Sequence, residues 1–117
     1  MQDYRKLRVW QKAHKLALAT YELSAYYRAP DAWALRDQTL RAALSIPSNI
    51  AEGAGRGTTP DFRRFLWHSL GSCNELEYDL QLARHAGFLP ADRHRLLDGQ
   101  VAEVRRMLIG LVKNMRA

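Results

Sequence analysis

Apolar residues return every three or four positions along nearly the whole chain, the pattern of helices that bury one face. Val9, Ala13, Leu16, Thr20, Leu23 and Tyr27 form the first stripe and predict a helix from about Arg8 to Tyr27. Ala29-Pro30-Asp31 ends it, because proline disfavours helix in the residue before it. Asp31 is a good N-cap for a second helix, from about Asp31 to Glu52, whose stripe is Leu35, Thr39, Ala42, Ile46, Asn49 and Gly53. Gly53, Gly55 and Gly57 close that helix and supply a flexible turn. The third opens at Thr59, with Pro60 at its first position and Asp61 in its first turn, both favoured there. It presents Phe62, Leu66, Ser69, Cys73, Leu76, Leu80 and Ala83, and Gly87 stops it. The fourth starts at Pro90 and presents Leu97, Val101, Val104, Leu108, Leu111 and Met115. No segment alternates with the two-residue period of a strand.

Four stripes of this period, joined by short connections, predict one all-α domain over 1–117. The expected form is an antiparallel up-down-up-down four-helix bundle with crossing angles of about 20°. At about 1.5 Å per residue, the longer helices should span roughly 30–40 Å. Six large apolar residues fall outside the stripes: Leu18, Tyr21, Trp67, Leu82, Leu96 and Ile109. One such residue would mean little, but six on three helices predict surface meant for another subunit.

The second stripe contains an anomaly, Pro47 in mid-helix, within Ser45-Ile46-Pro47-Ser48-Asn49-Ile50-Ala51-Glu52-Gly53-Ala54-Gly55-Arg56. Proline removes a backbone donor and crowds the carbonyl four residues back, at an interior cost of about 3 kcal/mol. Ser45, Ser48 and Asn49 carry side chains able to satisfy the freed groups locally. Asn49, Glu52, Arg56 and Glu75 are expected to join them in buried or half-buried contacts that fix the register of the kinked helix. Removing one member would cost about 1–3 kcal/mol for neutral groups and more for charges.

Charge changes the picture more than composition does. Hydrophobic residues make up 47% of the chain, and no apolar run approaches the roughly 20 residues a bilayer span needs. The N-terminus lacks the apolar region of a secretory signal, and the single Cys73 cannot form an internal disulfide. A cytoplasmic protein with no membrane role is the expectation. The net charge of +6 favours acidic partners through long-range attraction. Residues 1–15 carry Arg5, Lys6, Arg8, Lys12 and Lys15 against Asp3, and the last helix adds Arg93, Arg95, Arg105, Arg106, Lys113 and Arg116. First and fourth helices are usually neighbours in such a bundle, so the two sets could share a surface. Arg5, Lys6, Arg8, Lys12, Arg105 and Arg106 are the candidate phosphate contacts, with Tyr4 and Trp10 near enough to stack on unpaired bases. Nothing matches a helix-turn-helix, an RNA-recognition signature or a zinc finger, so sequence-specific reading is not expected.

Catalytic and metal chemistry find little support. A di-iron bundle needs Glu-x-x-His pairs, and none of His14, His68, His85 and His94 has a carboxylate three residues before it. Cys73 and His68 lack zinc spacing. The run Gly53-Ala54-Gly55-Arg56-Gly57-Thr58-Thr59 has neither the Gly-Lys-Ser/Thr ending nor the preceding strand of a phosphate loop. No nucleophile is paired with a base, so no cofactor, metal or small-molecule substrate is expected.

Three ordered motifs carry a family resemblance. They are Tyr4-Arg5-Lys6-Leu7-Arg8-Val9-Trp10-Gln11-Lys12-Ala13, then Ile46-Pro47-Ser48-Asn49-Ile50-Ala51-Glu52-Gly53 with Gly55-Arg56, then Phe62-Arg63-Arg64-Phe65-Leu66 with Gly71-Ser72 and Glu75-Leu76-Glu77. Together they resemble the bacterial four-helix bundle family that includes proteins encoded in 23S rRNA intervening sequences. The resemblance implies a homopentamer, five bundles around a central channel. The accessory proteins of diversity-generating retroelements are similar in fold, basic and pentameric, and bind nucleic acid. The expectation is therefore a non-enzymatic, homopentameric scaffold that binds RNA or DNA through basic surfaces. The alternative is a protein–protein interaction module whose basic face serves only solubility.

Overall fold

The computed structural model describes residues 2–28 and 30–115 of the 117-residue chain, so Ala29 and Arg116, invoked above, lie outside the described residues. Four helices account for most of it: α1 (Arg8–Leu23), α2 (Trp33–Ala54), α3 (Thr59–His85) and α4 (Ala91–Asn114). Short 3-10 turns at Tyr4–Lys6, Ser24–Tyr26 and Pro30–Ala32 complete the helical content, and no strand occurs among the described residues. The molecule is elongated, 46 × 21 × 20 Å.

The stripes set the core. Every expected position in α1 and α3 is buried, as are Thr39, Ala42, Ile46 and Gly53 of α2 and Leu97, Val101, Val104 and Leu108 of α4. Leu35, Asn49, Leu111 and Met115 are half-buried. The buried face of α2 is broader than one stripe, because Ala43, Pro47, Ile50 and Ala54 are buried too. Each helix packs on two others, α1 on α2 and α4, and α3 on α2 and α4.

The helix ends follow local chemistry, with corrections. α1 tightens into a 3-10 turn at Ser24–Tyr26 instead of continuing to Tyr27. Asp31 sits in the first turn of another 3-10 segment and does not cap α2, whose N-cap is Ala32, without a side-chain bond. At α3 the Thr58 hydroxyl accepts from the Asp61 backbone N–H at 3.3 Å, with Pro60 in the first turn. Gly87 adopts φ +86°, the left-handed turn that ends α3.

Gly53 has a different task from the one its sequence position suggests. It lies inside α2, and the helix runs on to Ala54. A Cβ there would meet Phe62 Cδ1 and Phe65 Cβ at 2.9 Å and the Phe62 carbonyl at 3.2 Å. α3 crosses α2 too closely at this point for any side chain. A helical Gly→Ala change ordinarily gains about 0.5–1 kcal/mol. At Gly53 overpacking should dominate, and we expect Gly53→Ala to lose about 1–3 kcal/mol in urea unfolding. Gly71→Ala, exposed on α3 with nothing within 4 Å of its Cβ, should instead stabilise the chain.

Candidate functional site

α2 and α3 meet along a polar seam. From the Gly53 contact it passes Asn49, then the Ile46 carbonyl and Ser69, then Ser45 and Ser72, and ends at Gln38 and Asp79. The hydroxyl geometry fixes the direction of each proton. Ser72 Oγ donates to the His68 carbonyl at 3.2 Å, so its bond to Ser45 Oγ at 2.7 Å must be donated by Ser45. Ser45 Oγ in turn accepts from Asn49 Nδ2 at 3.0 Å, and the same amide donates to the Ser45 carbonyl at 2.8 Å. Buried Ser69 donates to the Ile46 carbonyl at 2.9 Å. Each of these hydroxyl protons is committed to an acceptor.

The expected network therefore divides. Asn49 joins Ser45 within α2 and Ser45 reaches Ser72 across the helices, while Ser69 bonds the Ile46 carbonyl; the sequence positions of Ser72 and Ser69 mark them only as small residues on packed faces. Among the described residues no side chain donates to the Ala43 carbonyl, the acceptor that Pro47 leaves without its usual partner; α2 simply continues through the proline. Ser48 is exposed and lines a shallow groove with Tyr4, Trp10, His14 and Pro47. Glu52 and Arg56 form a separate pair on the surface at 3.6 Å. Glu75 is exposed and joins neither group.

Asp79 carries no signal in the sequence. It is fully buried, accepts from Gln38 Nε2 at 3.0 Å through Oδ1, and leaves Oδ2 without a partner. Burial raises its carboxyl above the ordinary 3.8, nearby Glu75 adds to the rise, and the Gln38 bond opposes it. Tyr27, also buried, has its phenol raised by burial. Cys73 is a core thiol pushed up to about 11 by burial, which makes it a poor nucleophile at neutral pH. Among the described residues no group of three or more His, Cys, Asp or Glu side chains converges as a metal site would require.

The six candidate phosphate contacts fall into two classes. Arg5 pairs with Asp3 at 3.1 Å, Lys12 with Glu103 at 3.2 Å and Arg105 with Glu77 at 3.2 Å. Lys6, Arg8 and Arg106 have no acidic partner among the described residues. α1 does neighbour α4, but Arg105 turns toward α3 and away from the cations of α1. Its Nε and Nη2 are buried. Trp10 packs between Tyr4, edge-on at 4.9 Å, and His14, stacked at 5.0 Å.

Contacts between sequence-distant residues sort the remaining charge. The Gln2 backbone N–H donates to the Ala54 carbonyl at 2.8 Å, which brings the N-terminal turn to the α2–α3 connection. Residues 2–8 and 52–64 at this end hold six cations against three acids. Far from it, Tyr27 meets Phe88 and Arg84 meets His94. There, residues 22–28, 30–37 and 84–98 hold five cations and five acids. Of the two ends, the one with the N-terminal turn is the basic one, by six cations to three acids against a balance. Sequence reading places half of its cations, at Arg5, Lys6 and Arg8, and misses Arg63 and Arg64 because they belong to a helix that looks structural.

A family model described as 23S rRNA-intervening sequence protein matches residues 5–110. The chain belongs to that family. The match includes the seam from Gln38 to Asp79 and all six candidate cations. Among solved structures, the chain is similar to a protein of unknown function from the S23 ribosomal protein family of Bacteroides thetaiotaomicron. The two are 24% identical, the similarity covers 91% of this chain and 99% of that one, and the TM-score is 0.84. At this identity the likeness speaks for the fold. No curated protein matches.

The six outward apolar residues are all exposed, between 37% and 56%. Tyr26, Trp33, Leu44 and Tyr78 are exposed as well. They do not form one patch: Leu96 borders a groove with Tyr26 between α1 and α4, whereas Trp67 lies 15 residues before Leu82, about 22 Å along α3.

Two outcomes test the seam. Ser45→Ala strips Asn49 and Ser72 of a partner and should cost about 1–3 kcal/mol in chemical denaturation, while Glu75→Gln, on the surface, should change stability by less than about 0.5 kcal/mol. For Asp79, the folded chain holds the proton more tightly than the unfolded one. Its contribution is therefore fully present below the ordinary 3.8 and is lost as pH rises through the folded value. Asp79→Asn, which keeps an oxygen for Gln38, should gain on the parent in melting temperature between about pH 3 and about pH 7.

Proposed function

We propose that this protein is a non-enzymatic, cytoplasmic helical scaffold that self-associates, with a pentamer favoured, and binds RNA or DNA through phosphate contacts. The observation that carries this reading is the one-sided charge, six cations against three acids at one end and a balance at the other. A polyanion approaching such a molecule is drawn to that end, and releasing its counterions makes binding depend on salt. Lys6 and Arg8 are the contacts this reading favours, since no pair among the described residues must break to free them; Arg5 supports them, and Arg106 extends the surface along α4. Lys12 and Arg105 contribute less, because Glu103 and Glu77 already hold them.

The bundle reading rests on ordered pairings. Along α2 and α3, Gly53 faces Phe62, Ser45 faces Ser72 and Gln38 faces Asp79. Arg84 with His94 and Glu77 with Arg105 repeat that order between α3 and α4. These support the up-down-up-down course. Self-association draws on the exposed Leu18, Tyr21, Leu82, Leu96 and Ile109, with the isolated Trp67 set apart from them. The committed seam hydroxyls, the high thiol of Cys73 and the saturated surface pairs favour binding over catalysis.

Fluorescence anisotropy with a labelled oligonucleotide at rising salt tests the charge, and light scattering tests the assembly. The parent chain should show a steep salt dependence. A Lys6→Ala, Arg8→Ala, Arg106→Ala variant should lower the slope by about 0.7–0.9 for each phosphate that loses its cation. Binding unchanged by that variant would reject the assigned surface. Absence of nucleic-acid binding, with an acidic protein retained instead, would favour an interaction module.

A further inference from the structure

The start of α3 holds a basic and aromatic surface outside the six candidate cations. Thr59, Pro60, Arg63, Arg64, Trp67 and His68 line a groove of about 390 Å³. Trp67 is 56% exposed, and Arg63 lies one turn before it on the same helix. Arg63 has no acidic partner among the described residues. Next to the groove, the guanidiniums of Arg64 and Arg56 lie over the Phe65 ring at 4.5 and 4.8 Å. Their acids stand at 3.4 Å (Asp61) and 3.6 Å (Glu52), loose pairs on exposed side chains.

This constellation does not suit burial against an apolar face alone. Covering Trp67 would desolvate Arg63, which is expensive for a charge unless the covering surface brings an acid or a phosphate. It suits a ligand that brings its own negative charge and its own flat apolar ring. An unpaired nucleotide does both: the base has a π-face for the indole, and the phosphate a charge for Arg63 and Arg64. A duplex hides its base faces in the stack and offers only the phosphate.

We propose that Trp67, with Arg63 and Arg64, is a stacking site for an unpaired nucleotide, so that the nucleic acid held at this end is single-stranded or looped. The inference rests on the nucleic-acid reading above and deepens it. Arg56 and Arg64, propped on Phe65, hold the phosphate side of the site with little freedom to lose on binding. Trp67 supplies the discrimination between strand forms.

The test compares a labelled single strand and a duplex, each about 20 nucleotides or base pairs long, in anisotropy titrations. Because Trp67 and Arg63 are exposed, their replacement should leave the helical circular-dichroism signal unchanged. Trp67→Ala should weaken single-strand binding by about 5- to 150-fold, the range that losing one base–aromatic stack gives, and leave duplex binding as it was. Trp67→Phe, which keeps a ring, should recover most of the affinity. Arg63→Ala should lower the salt slope for the single strand by about one. RNA and DNA strands answering alike would place the contacts on base and phosphate, as proposed; weakening confined to one sugar would overturn that geometry. If the parent binds single strands and Trp67→Ala binds them equally well, the stacking site is wrong and the wider basic surface stands. If the parent binds neither probe, both readings fall. A Trp67→Ala chain that changes its assembly size while keeping its affinity would overturn the site in favour of a subunit contact.

Discussion

The approach of α2 to α3 at Gly53 governs the rest of this molecule. Packed helices stand about 8–10 Å apart axis to axis, a distance set by the side chains at the contact. Here the backbones close in because one position has no Cβ, with Phe62 and Phe65 filling the space it would take. Along the same pair of helices Ser69 reaches the Ile46 carbonyl and Ser45 reaches Ser72. The cost of Pro47 is borne in the same place. Its helix is held by side chains of α3 as well as by its own ladder, so the missing backbone bond matters less than it would in an isolated helix.

How much of this is legible in the sequence depends on the kind of signal. The stripes read cleanly because burial of an amphipathic face repeats many times, and a single exception cannot mask the period. The seam is half legible. Ser45 and Asn49 announce a local task beside a proline, but Ser72, which Ser45 bonds, and Ser69, which bonds the Ile46 carbonyl, sit on another helix and look like ordinary small residues. Glu52 and Glu75 look like members of the network because charge near a glycine-rich turn suggests pairing; the structure leaves Glu52 in a surface pair and Glu75 facing solvent. Asp79 is the opposite case. It flanks the stripe through Leu76 and Leu80, where an acid normally marks the wet edge of a helix, yet it is fully buried and meets Gln38 from α2. Positions whose meaning depends on which residue faces them across the interface cannot be read along one helix.

The same limit applies to charge. Counting cations by sequence position gathers the first and last helices, and three of the six residues so chosen are spoken for by Asp3, Glu103 and Glu77. An ion pair on the surface is worth little to stability, about 0–1 kcal/mol, yet it does lower what the cation can offer to a phosphate. What matters for a polyanion is the charge left after internal pairing and where the fold collects it. By that measure the N-terminal turn and the α2–α3 connection, joined by the Gln2–Ala54 hydrogen bond, form a unit that no stretch of sequence displays.

Packing and surface chemistry converge on Phe65. Its Cβ stands where a Gly53 side chain would go, so its backbone position is set by the close approach of the helices. Its ring faces outward under Arg56, which leaves the end of α2, and under Arg64, which belongs to α3. A wider helix separation would move Arg56 away from that ring, while Arg63, Arg64 and Trp67 keep their mutual spacing on α3. The interior contact that admits only glycine is thus also the contact that brings Arg56 up to the cations of α3. A change at Gly53 should therefore register twice, in the unfolding midpoint and in the affinity for single strands, whereas a change at Trp67 registers only in the second.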